Sequence, residues 1–155
     1  MPPPIRHSRL VLVSPHTNSH TALRSILRSE CWQVNGFFTG REGLAFLRKH
    51  HDVAVVICED RLPDGEWHQF MSQLTPSTIR PSFIVSAHLG DERLWAEALT
   101  LGAFDLLLSA PFEAEEVVRV TESAWLAWNW ACGRSPGVEH RPERIELKSR
   151  AAGCA

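Results

Sequence analysis

The chain has 155 residues, 44% of them hydrophobic, which fits one domain with room for a sizeable core. Sixteen Lys and Arg stand against eighteen Asp and Glu, a formal charge of −2, so no overall field directs the chain to nucleic acid or to an anionic membrane. The four cysteines, Cys31, Cys58, Cys132 and Cys154, are widely spaced in a chain too long to need a disulfide framework, and they read as free thiols in a reducing cytoplasm.

The N-terminus, MPPPIRHSRLVLVS, holds three consecutive prolines and one short apolar run, Leu10 to Val13, which makes neither a signal peptide nor a spanning segment. Residues 1–8 read as a flexible leader, and Leu10 to Val13 as a first strand ending at Ser14-Pro15. His16 to His20 then form a loop and helix start in which Thr17, Asn18 and Ser19 are all good N-caps. Ala22, Leu23, Ile26 and Leu27 follow at helical spacing, to about Glu30. Trp32 to Phe38 is a second strand, and Gly40 opens a helix over Arg41 to His50 with Leu44, Leu47 and Phe46 inward. Val53 to Cys58 is an unbroken apolar run with no polar alternation, as expected of a strand buried on both faces in the middle of a parallel sheet. It meets an abrupt acidic turn, Glu59 to Gly65, and a short helix over Glu66 to Leu74. Thr75 to Pro81 is a loop. Ser82 to Ser86 is the fourth strand, with Ala87 to Gly90 as its exit and a helix from Asp91 to Leu101 that stops at Gly102. Phe104 to Leu108 is the fifth, and Glu113 to about Cys132 a long last helix with acidic residues in its first turn. Residues 9–132 therefore form one domain of strands alternating with helices, which favours a parallel sheet. Residues 133–155 turn to Gly, Pro and charge and read as a disordered tail in which basic residues outnumber acidic ones.

In open α/β sheets chemistry collects beyond the carboxyl ends of the strands, so Glu59, emerging from a dry strand, is the first candidate for a site. Strand alternation turns Asp60 away from Glu59, and Asp64 lies in the turn. His16 and His20 stand four residues apart near the same end; with Glu59 they make only a weak metal set, so no metal or other cofactor is expected. On the last helix Val117, Val120, Thr121, Ala124, Trp128 and Ala131 make a stripe that faces the sheet. Trp125 and Trp130 fall off it. With Trp95 on the fourth helix they are candidates for an interaction surface, the competing reading being that neighbouring chain covers the rings.

Five βα units with a carboxylate, two residues and then Leu62-Pro63-Asp64-Gly65 after the third strand resemble the receiver domain of two-component response regulators. Gly40 with Glu42, Ala98 with Leu99, Gly102 with Ala103, and Pro111 with Phe112 extend the resemblance from about Arg9 to Trp130. It implies a flavodoxin-like doubly wound five-stranded parallel sheet, order 2-1-3-4-5, with five helices. It also implies a chemistry from which this chain departs. Where the family carries the phosphoacceptor Asp, this sequence has Glu59. The two acidic positions that hold Mg²⁺ align with Ser14 and Pro15, and the position of the phosphoryl-pairing Lys aligns with Ala110. Ser86 alone keeps the hydroxyl that in the family turns toward the phosphoryl group.

Phosphoryl transfer rests on positioning and charge neutralisation, so these losses point to a stand-alone degenerate receiver that binds a protein partner without being phosphorylated. In receivers a usual partner surface combines the fourth helix, fifth strand and fifth helix; the partner would be a histidine kinase, another regulator or a second copy in a homodimer. The alternative is a phosphoacceptor receiver that takes its phosphoryl group from a histidine kinase on Asp60 or another nearby carboxylate. Residues 133–155 are too few for a DNA-binding domain, which argues against specific nucleic-acid recognition. Neither a Gly-rich phosphate loop nor a nucleophile-base set is evident, so an enzyme is not expected.

Overall fold

The computed structural model describes residues 8–74, 80–109 and 111–132. Five parallel strands, β1 (Arg9–Val13), β2 (Gln33–Phe37), β3 (Val53–Glu59), β4 (Ser82–Ala87) and β5 (Asp105–Leu108), form one sheet in the order β2-β1-β3-β4-β5. The helices are α1 (Thr17–Leu27), α2 (Gly40–Lys49), α3 (Trp67–Ser72), α4 (Glu92–Thr100) and α5 (Ala114–Ala131). This is the doubly wound flavodoxin-like arrangement that the sequence implies.

Helices cover both faces, which is why the central strands show no polar alternation. Successive side chains of β1 and β3 enter opposite cores. Leu10, Leu12, Val55 and Ile57 pack with Leu23, Leu27, Val117, Val120, Ala124 and Trp128 under α1 and α5. Val11, Val13, Val56 and Cys58 pack with Leu44, Trp67, Phe70, Met71 and Ala98 under α2, α3 and α4. Every residue of β3 is buried, Glu59 included. Each large aliphatic side chain of these cores contributes about 1.5–3 kcal/mol by leaving water.

Local chemistry sets the helix starts. The Thr39 hydroxyl accepts from Glu42 N at 3.2 Å, and Asp91 Oδ1 accepts from Leu94 N at 2.8 Å. α2 is capped a second time from afar: the Asp64 carboxylate accepts from Gly40 N and Arg41 N, each at 2.9 Å. The turn that brings Asp64 there depends on Gly65, whose φ of +147° is open to glycine and strained for other residues.

Several boundaries differ from the sequence expectation. The residue before α1 is His16, with no side-chain cap, and α1 passes into a 3₁₀ turn over Arg28–Glu30. α3 starts one residue later than expected because Gly65 and Glu66 pair with Leu62 and Arg61 in a two-residue antiparallel ladder, too short to leave a periodic signal, and it ends two residues earlier, at Ser72. Of the leader only Ser8 is described, and the expected tail at 133–155 lies outside the described residues. Among the described residues no helix is long and apolar enough to cross a membrane.

Candidate functional site at the carboxyl end of the sheet

β3 carries Glu59 to the rim of the sheet, where its register with β4 sets it beside Ser86. Glu59 is only 2% exposed. A buried carboxylate is costly unless hydrogen-bonded or paired, and this one is held by three groups. Ser86 Oγ donates to Oε1 at 3.1 Å, His88 Nδ1 lies 3.0 Å from Oε2, and Ser109 Oγ, just past β5, donates to Oε2 at 3.5 Å. Ser109 Oγ is also 3.4 Å from His88 Nδ1. The His16 ring meets that of His88 edge-on, with centroids 4.5 Å apart. His16, Glu59 and His88 thus bring one nitrogen or oxygen each to within 4.8 Å of one another. They open onto a cleft of about 610 Å³ whose walls include Asp60, Trp67, Asp91 and Arg93.

The expected site residues fall into distinct roles. Ser86 holds Glu59 as its hydroxyl suggests. Ser14 is buried at the end of β1, its Oγ accepting from His16 N at 3.2 Å and its carbonyl from His20 Nε2 at 2.9 Å. Pro15 supplies no side-chain donor atom. Ala110 lies outside the described residues. Asp60, which strand alternation was expected to turn away from Glu59, is among the residues lining the same cleft, and its N–H donates to Ser86 O at 2.8 Å, one step past the β3–β4 ladder. Partial burial pushes the Asp60 carboxyl above its usual range, against the lowering influence of Arg61. Asp64 is drawn away to α2. Desolvation works upward on it, but the amides of Gly40 and Arg41 prevail and hold its carboxyl below the usual range. Burial, then the charge of Glu59, pushes the Cys58 thiol well up, leaving it a poor nucleophile.

His20 does not join the site, since it bonds the Ser14 carbonyl and packs on the Phe38 ring. His88 takes the place that sequence reasoning offered to His20. One sequence signal pointed to it: His88 is two residues past Ser86, so strand alternation continued for one step puts both on the same side.

The interaction-surface residues also divide. Trp95 on α4 is 50% exposed and Trp130 on α5 is 59% exposed. Trp125 does not belong with them: its ring packs against the α1–α5 core and its Nε1 donates to Ser8 Oγ at 2.9 Å.

Mg²⁺ demands oxygen ligands in tight octahedral geometry. The end of β1 offers it no carboxylate, and in the cluster of His16, Glu59 and His88 two of the three side chains are imidazoles. The residues present therefore do not fit that ion.

No family model matches the sequence, and no curated protein matches it. Solved structures do match the fold. The signal receiver domain of a protein described as a LuxO repressor from Vibrio parahaemolyticus superposes with a TM-score of 0.75 at 18% identity, over 84% of this chain and 98% of its own. The beryllofluoride-activated NtrC4 receiver domain dimer gives 0.69 at 21%, over 77% and 98%. The chemotaxis response regulator CheY4 of Vibrio cholerae gives 0.68 at 17%, over 77% and 99%. This is the receiver-domain fold. At such identities the likeness carries the architecture and leaves the chemistry to the site itself.

Proposed function

We propose that this chain is a degenerate receiver of two-component signalling, a protein-interaction module that acts without being phosphorylated. One observation carries the reading: Glu59, at the position that the resemblance gives to a receiver's phosphoacceptor, engages Ser86, the hydroxyl that the resemblance directs to a phosphoryl group. His88, not a lysine, is the nitrogen base beside it. The carboxylate is one methylene longer than Asp, so it reaches toward the space of an incoming phosphoryl oxygen with about half the charge. Without an Mg²⁺ cage and with Ala110 at the Lys position, the groups that neutralise a phosphoryl-transfer transition state are missing.

The output surface in this reading is the α4–β5–α5 side, where Trp95, Leu99, Leu101, Leu108 and Trp130 expose apolar area. A histidine kinase, another regulator or a second copy of the chain would dock there; the NtrC4 receiver that shares the fold is a dimer. A cytoplasmic location belongs to the same proposal.

Asp60 favours a second reading, because it lines the cleft and could serve as an acceptor. Intact-mass measurement after incubation with Mg²⁺ and acetyl phosphate separates the two, beside a variant carrying Glu59→Asp and Ala110→Lys. The degenerate receiver gains no phosphoryl mass. Gain of that mass, abolished by Asp60→Asn, replaces this proposal with a phosphorelay receiver.

A further inference from the structure

We propose that His16, Glu59 and His88 form a binding site for one divalent transition-metal ion, with Zn²⁺ the best match. The three side chains come from three separate segments: the residue before α1, the end of β3 and the loop after β4. Their ligand atoms lie within 4.8 Å of one another, and atoms bound to one tetrahedral zinc stand about 3.3 Å apart, a closure that small rotations of two imidazoles supply. Two imidazole nitrogens and one carboxylate oxygen are a borderline donor set, suited to zinc and its first-row neighbours rather than to Mg²⁺ or Ca²⁺.

The surroundings have the features of a prepared site. Glu59 is fixed from behind by Ser86 and Ser109, whose hydroxyls orient the carboxylate as outer partners orient the ligands of known metal centres. The histidines sit on the open side. His16 is exposed, and the His88 side chain is 47% exposed, so an ion can enter from solvent. Bound there, it would replace the hydrogen bond between His88 Nδ1 and Glu59 Oε2 with two ligand bonds. Its fourth position would face the cleft, for water or for a side chain from a partner. The ion would tie the start of α1 and the approach to α4 onto β3, and α4 bears Trp95. Metal occupancy would then supply at this rim the cross-link that phosphorylation supplies in a working receiver.

The inference goes beyond the proposed function and fails separately from it, since phosphoryl gain bears on the one and metal uptake on the other. The full chain, stripped with a chelator, is titrated with Zn²⁺ by calorimetry and with Co²⁺ by visible absorption. The expected result is one ion per chain, with a cobalt spectrum lacking thiolate charge transfer. Affinity falls at least about tenfold in both His16→Ala and His88→Ala and is unchanged in Cys31→Ser. Both histidines are exposed, and circular dichroism checks that each variant folds. If His88→Ala does not fold, His88→Gln keeps a polar partner for Glu59 and takes its place. Absence of one-to-one uptake, or affinity in the His16 and His88 variants equal to that of the natural chain, overturns the proposal.

Discussion

Ser86 and Glu59 are paired across the β3–β4 ladder, and the serine hydroxyl donates to the carboxylate at 3.1 Å inside a buried rim. A hydrogen bond to a buried charge is worth more than one between neutral groups. Ser86→Ala removes it while changing little volume. We expect a loss of about 1.5–3 kcal/mol in urea unfolding. A loss within error of zero would mean that Glu59 does not depend on this partner.

Asp60 and Asp64 give stability opposite dependences on pH. The carboxyl of Asp64 is lowered on folding, so its contribution is fully present above the unfolded value of about 3.9 and disappears as pH falls through the lower folded value. Asp64→Asn keeps one acceptor for α2 where there were two. It should cost about 0.5–2 kcal/mol at neutral pH, a penalty that fades in acid. Asp60 is raised, so its contribution is present below the unfolded value and lost as pH rises through the folded one. Asp60→Asn is therefore expected to raise the urea midpoint at pH 7 and to match the natural chain in acid. Parallel shifts of the two variants at pH 7 would contradict this account.

Trp95 tests the output surface. Its side chain is half exposed on α4, so Trp95→Ala should leave unfolding free energy within about 0.5 kcal/mol of the natural chain. Sedimentation across a concentration series should show self-association weakened about tenfold or more, as expected when an aromatic anchor is removed. If association is unaltered, the surface lies elsewhere.

The sequence made β3 and its terminal acid legible because burial on both faces suppresses polar alternation, leaving Val53 to Cys58 as a plain apolar run. Order along the chain said nothing of partners far apart in number. Asp64 caps an amide 24 positions earlier, and Trp125 is held by Ser8, 117 positions away. A helical wheel sorts side chains only against their own helix, so it left Trp125 outside the core. His88 was missed for a related reason: alternation carried one step past the strand puts it on the side of Ser86 but names no partner for it, and its meaning appears only when β4 is laid beside β3.

Trp67 is buried to 2% exposure at the start of α3, yet it is one of the residues that line the cleft. Indole fluorescence responds to nearby charge and polarity, so the protein carries an optical reporter at the rim of Glu59. Subtracting the emission of a Trp67→Phe variant isolates its signal from the other five tryptophans. Events in the cleft can then be followed in solution without any added label.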